Sequence, residues 1–146
     1  MKTYIIALSL IFIGLQSTLQ AQEKSEVNEQ ILVEAMMDVQ QSLWNAGSID
    51  DFMKLYWQSD SLEFIGSKGI TYGWQKTLDN YKKGYPDKKA MGQLKFTILE
   101  NKQLSENYIY IVGKWQLTKE KPVGGHITLL WKKINGYWVI VSDHTS

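Results

Sequence analysis

The chain of 146 residues contains no cysteine, so no disulfide supports it and no lipid-bearing cysteine follows its apolar run. Arginine is missing too, and all 16 basic side chains are lysines. Arginine grips phosphate and guanine through a rigid bidentate fork. Its absence, with a formal net charge of only +1, argues against nucleic-acid binding and against a dedicated phosphate site. The only long apolar run, Tyr4 to Leu15, falls short of the roughly 20 residues that a membrane-spanning helix needs. No internal repeat, low-complexity run or domain-splitting linker interrupts the chain.

What is present begins with that short apolar run. Lys2 precedes it, polar residues Gln16 to Gln20 follow, and Ala21 is the small residue that suits cleavage before Gln22. Residues 1–21 are expected to be a secretory signal peptide, which predicts an exported protein, periplasmic or secreted, with no membrane span after cleavage. Lys2 is the only charged side chain in that segment and accounts for the whole net excess, so the mature chain is formally neutral. Residues 22–146 have the length of a single domain and must be stabilised by a core alone. Six Trp, seven Tyr and three Phe in those residues supply it, at a density suited to filling a small core or lining a cavity.

The Asn135-Gly136 dipeptide, between two alternating apolar runs, is a strong signal for a two-residue hairpin turn, because both residues tolerate positive φ. A regular register then pairs Trp131 with Ile140, Leu129 with Ser142 and Ile127 with His144 on the apolar face. Thr128/Asp143 and His126/Thr145 fall on the other face. Upstream, Tyr108 to Thr118 alternates, with Ile109, Ile111, Gly113, Trp115 and Leu117 on one side, and Leu94, Phe96 and Ile98 alternate as a further strand. Leu62 to Ile65 reads as a short strand ended by Gly66, and Gly69 to Gly73 as a turn.

Helices are expected at three places. Val27, Ile31, Ala35, Val39 and Leu43 recur every four residues, with Leu32, Met36 and Trp44 widening the stripe, over about Glu26 to Asn45. Gly47 stops that helix, and Ser48 with Asp51 forms a carboxylate version of the capping box, opening a short helix that carries Phe52, Leu55 and Tyr56. Trp74, Thr77, Leu78, Tyr81 and Tyr85 mark the third helix, ended by Gly84 and Pro86 and followed by a Lys-rich loop to Lys89. Helices first and meandering strands after predict an α+β domain, a curved antiparallel sheet with the helices on its inner face.

Several segments together resemble the nuclear transport factor 2-like superfamily, in its SnoaL-like or ketosteroid-isomerase-like subgroup of unassigned function. They are the Trp44 to Ser48 corner with Phe52 and Tyr56, Phe64-Ile65-Gly66, the Gly69 to Trp74 entry to the third helix, Gly113-Lys114-Trp115, and the Trp131 to His144 hairpin with its Ser142 to Ser146 ending. The resemblance implies a cone-shaped fold, the sheet wrapped around three N-terminal helices, a cavity on its concave side and a homodimer through the convex face. It also implies polar groups in the cavity. Isomerases of the family use a carboxylate base with a Tyr and a protonated Asp, and dehydratases use His, Asp and Tyr.

In the regular register His144 and Ser142 face the cavity, and Asp143 lies outside near His126. His144 is therefore the candidate acid/base, since an imidazole titrates near neutrality. The alternative is a histidine that meets only solvent or backbone. A β-bulge would swap the faces and put Asp143 and His126 inside. Glu34, Asp38, Asp60 and Glu63 are the other carboxylates considered, without a pairing that marks a site. Trp57, Tyr72, Trp74, Tyr81, Trp115 and Trp131, with Ser142, are the candidate ligand-binding residues; for each, plain core packing is the competing reading. No metal or cofactor is expected.

Three functions follow as expectations. The first is an exported domain binding a small hydrophobic or aromatic molecule. The second is an isomerase, cyclase or dehydratase working by acid/base chemistry. The third is a dimerisation or partner-binding module using Tyr108, Tyr110, Val112, Leu130, Val139 and Val141.

Overall fold

Asn135 and Gly136 adopt φ of 51° and 82°, the left-handed pair that a tight hairpin turn demands if its strands are to keep their right-handed twist. The hairpin belongs to a computed structural model that describes residues 29–146. The expected signal peptide, residues 1–21, lies outside the described residues. Helix α1 occupies 29–46, and α2 (Ile49–Phe52) runs into a single 3-10 turn, Met53–Leu55. Strands β1 (Glu63–Gly66) and β2 (Gly69–Tyr72) precede α3 (Trp74–Gly84) and α4 (Lys88–Met91). Strands β3 (Gln93–Ser105), β4 (Tyr108–Thr118), β5 (Val123–Ile134) and β6 (Tyr137–Thr145) complete the domain.

The strands form one six-stranded sheet in the order β2-β1-β6-β5-β4-β3. All neighbours are antiparallel except β1 and β6, which run parallel. The helices pack on one face around Trp131, Ile109, Ile111, Ile140, Met37, Met53 and Leu62, all essentially without solvent exposure. This is the α+β cone expected from the sequence, with three local differences. Gly69 to Tyr72 is a strand rather than a turn, because Gly66 and Gly69 close a hairpin on β1. The Lys-rich loop contains α4, started by Asp87, whose Oδ1 accepts the Ala90 N–H at 2.7 Å. Ser48 spends its hydroxyl on the Asp51 carboxylate rather than on a backbone N–H.

Two further departures shape the interior. The first is the phase of α1. Val33, Met37, Gln40 and Trp44 are the buried stripe, whereas Ile31, Leu32 and Val39 of the expected stripe are about half exposed. The cause is the neighbouring face of the helix. Gln30, Gln41 and Asn45 lie along it and bond the open edge of β3, at the Asn101 carbonyl, the Phe96 N–H and both backbone groups of Leu94. An edge strand with unpaired backbone groups is thereby covered by side-chain amides, and those bonds fix which helix face looks inward.

The second departure is in the hairpin. Trp131 pairs with Ile140 as expected, but Leu130 pairs with Ser142, so Val141 is an extra residue on β6. Beyond this bulge every pairing shifts by one: Leu129 faces Asp143, Thr128 faces His144 and Ile127 faces Thr145. The expected inward positions of His144 and Ser142 are corrected accordingly. His144 is exposed, Ser142 shares the convex face with Leu130, and Asp143 is buried. His126 stays exposed, so no Asp143–His126 pair forms.

Candidate functional site

The bulge turns Asp143 into the space between the helices and the sheet. Strand β1 pairs in parallel with this end of β6 and sets Phe64 beside Asp143. The segment after the 3-10 turn joins the same edge of β6 further along, through a bridge between Tyr56 and Ile140 and a bond from the Trp57 N–H to the Ile140 carbonyl. That fixes the Tyr56 ring over the bulge. Its hydroxyl donates to Asp143 Oδ2 at 2.7 Å, and the Thr145 hydroxyl donates to Oδ1 at 2.6 Å.

These groups stand on the wall of a cavity of about 640 Å³. One side is aromatic: Trp44 of α1 meets Phe52, Tyr81 and Tyr85 edge-on, with ring centroids 5.1, 5.9 and 4.8 Å away, and Phe64 meets Tyr81 at 5.6 Å. Edge-to-face contacts of this kind hold rings at fixed angles, so the wall is stiff. Phe96, Trp115, Leu117, Ile127 and Leu129 form the sheet side, and Lys68 and Lys83, both exposed, also border the space.

Burial pushes the Asp143 carboxyl above its ordinary value, against the opposing pull of the Thr145 and Tyr56 hydrogen bonds. Tyr56 is raised well above a free phenol, first by burial and then by the nearby Asp143 charge. Tyr81, which interacts with the Tyr56 hydroxyl, is raised by burial and by Asp143 in the same way. The proton between Tyr56 and Asp143 therefore stays on the phenol. The cluster offers a carboxyl that ionises less readily than usual beside two neutral phenols, an arrangement able to hold or move a proton at a ligand atom.

Of the residues expected from the sequence to bind a ligand, Tyr81 and Trp115 line the cavity. The others lie elsewhere. Trp131 is sealed in the core, Tyr72 is exposed on the edge strand β2, and Ser142 is on the convex face. Trp74 donates its Nε1–H to the Met53 carbonyl at 2.8 Å, and Trp57 is half-buried away from the cavity wall. Glu34, Asp38, Asp60 and Glu63 are all exposed, and Glu34 accepts a bond from Asn101 Nδ2. Among the described residues no three His, Asp or Glu side chains gather as a metal site, and no helix is long and apolar enough to cross a membrane.

The residues the sequence reading did not single out are Tyr56 and Gln40, and Asp143 was reached only through the alternative in which a β-bulge swaps the faces. For Gln40 the signal was an amide one turn before Trp44. Tyr56 stood beside Phe52 in the short helix, but nothing in its spacing told a cavity wall from plain core.

The fold is similar to that of an NTF-2-like protein of unknown function from Shewanella oneidensis. The match has 42% identity and a TM-score of 0.75, and covers 78% of this chain and 95% of that one. An NTF2-like protein of unknown function from Pseudomonas putida matches at 9% identity and a TM-score of 0.66, over 82% of this chain and 87% of that one. A ketosteroid isomerase-like protein from Erwinia carotovora matches at 17% identity and a TM-score of 0.63, over 77% and 91% of the two chains. The last two likenesses concern the fold alone. No family model and no curated protein matches the chain.

Proposed function

The chain belongs to the nuclear transport factor 2-like family, and from that premise we propose that it is an exported domain whose cavity binds a small apolar or aromatic molecule. One observation carries this reading. A space of about 640 Å³ is walled by rings on one side and aliphatic residues on the other, with its buried polar atoms confined to a few positions. A space of that volume holds a molecule of two to four fused rings, and burying such a ligand removes its apolar surface from water. Export is supported by the sequence of residues 1–21. A homodimer through the convex face agrees with the half-buried, outward-facing Tyr110, Leu130 and Val139, and sedimentation velocity at high protein concentration tests it.

The binding test uses a panel of naphthalene and steroid derivatives, read by thermal shift and by Trp fluorescence, because Trp44 and Trp115 line the space. Saturable quenching with a rise in Tm is the expected result. A panel that moves neither signal removes the reading.

A second reading, acid/base catalysis of the isomerase, cyclase or dehydratase type, is favoured by the Asp143–Tyr56–Tyr81 cluster. A carboxyl with raised affinity for protons, next to phenols that stay neutral, suits proton abstraction beside a carbonyl. Deuterium exchange into 2-tetralone, followed by NMR, should be faster with the protein than with buffer and should slow in Asp143→Asn. Exchange no faster than buffer leaves binding alone.

A further inference from the structure

Gln40 occupies a position in the buried stripe of α1 where the neighbouring turns carry Val33, Met37 and Trp44, and it is 1% exposed. Its Nε2 has no hydrogen-bond partner, although Gln40 lines the cavity. The other buried polar side chains of that wall are all engaged. Asp143 accepts from Tyr56 and Thr145, Thr77 donates to the Gly73 carbonyl at 2.9 Å, and the Trp44 Nε1–H donates to the Met91 carbonyl at 3.3 Å. A buried amide left without a partner is costly, and native structures seldom keep one without a reason.

We infer that Gln40 is a ligand-recognising residue, whose amide takes an uncharged acceptor oxygen carried by a flat apolar ligand. This rests on the proposed ligand-binding reading of the cavity. The amide is a planar head on a flexible stem, and a half-turn about its last torsion exchanges Nε2 and Oε1. Either end can therefore be turned toward a guest without moving the helix. Asp143 does not fill this role, because both of its oxygens already accept hydroxyl protons. An oxygen that meets the Gln40 amide satisfies a donor that has no partner in the protein, whereas a hydrocarbon of the same shape does not. The residue thus sets a preference among ligands of equal size, the kind of discrimination that an unpaired polar group in a binding site imposes.

The probes are 2-acetylnaphthalene and 2-isopropylnaphthalene, nearly equal in shape and differing in the acceptor oxygen, with dissociation constants read from Trp fluorescence. Wild-type protein should bind the ketone about fivefold or more tightly than the hydrocarbon. In Gln40→Met, which keeps the length of the side chain, and in Gln40→Leu, that ratio should fall to about one through loss of ketone affinity, with hydrocarbon affinity kept. A ratio near one in wild type overturns the inference without any variant, and so does a ratio that persists in both variants. A preference that collapses in Tyr56→Phe but survives in Gln40→Met places the ligand oxygen at Tyr56 and overturns it as well. These three outcomes leave the ligand cavity standing. Failure of both probes to bind wild type overturns the cavity reading and this inference together.

Discussion

The two halves of the β5–β6 hairpin obey different rules. Between the Asn135-Gly136 turn and Trp131 the pairing is regular, and Trp131, Trp138 and Ile140 enter a core with almost no exposure. Past Leu130 the same strands carry the extra residue Val141, and the inward positions are taken by Asp143 and Thr145 at a cavity wall. One half is closed mainly by apolar packing, which tolerates exchanges of like volume best. The other half holds a buried carboxyl that persists only because Tyr56 and Thr145 each give it a hydrogen bond. The bulge at Val141 marks the boundary between a packed end and a chemically equipped one.

Inserting one alanine between Ser142 and Asp143 is the strongest way to break this contrast. With the pairing up to Ser142 kept, the added residue takes the inward place and every later side chain of β6 changes face, so His144 turns inward and Asp143 leaves Tyr56. The variant should lose about 4 kcal/mol or more in urea unfolding and lose probe binding, because a buried hydrogen-bond network is lost and an imidazole enters an apolar wall. Stability within about 1 kcal/mol of wild type would show that the register of β6 does not place Asp143.

A smaller effect comes from Asp143→Asn, and it is read as a slope against pH. Burial raises the Asp143 carboxyl above 3.8, so the folded protein keeps a proton that the unfolded chain releases. The contribution of this group is full below the unfolded value and is lost as pH rises through the raised folded value, at about 1.4 kcal/mol for each unit of the rise. The unfolding free energy of wild type minus that of the variant should therefore fall as pH rises from the unfolded value toward neutrality. A difference that is flat or rising across that window contradicts a destabilised carboxylate.

The smallest effect is expected at the adjacent residue. His144 is exposed on the convex side, so His144→Ala should change stability by no more than about 0.5 kcal/mol and leave probe affinity unaltered. An affinity loss of tenfold would return His144 to the cavity and sink the register described above.

The regular half of the hairpin was legible because its signals are local. Asn135 and Gly136 specify a turn through their own backbone preferences, and alternation on either side sets the faces of Trp131 and Trp138. The inner face of β4, from Ile109 to Leu117, was readable for the same reason. The cavity was much less so. Val139, Ile140 and Val141 are all β-branched and apolar, and either register suits their pattern; the choice lies with β1, which pairs with Ser142, Asp143 and His144 from far away in the chain. Helix α1 posed the same difficulty, since it carries apolar residues on more than one face.

By itself the sequence determined the main helices and strands apart from β2 and α4, the tight turn, the antiparallel meander and an aromatic-rich interior without disulfides. These follow from periodicity, turn chemistry and composition, which act over a few residues at a time. The tertiary structure decided the rotation of α1, through the amides of Gln30, Gln41 and Asn45 on the edge of β3, and the bulge that brings Asp143 to Tyr56. Both choices are settled by hydrogen bonds between segments distant in sequence, where local preference is nearly balanced and the need to pair buried polar groups selects the outcome.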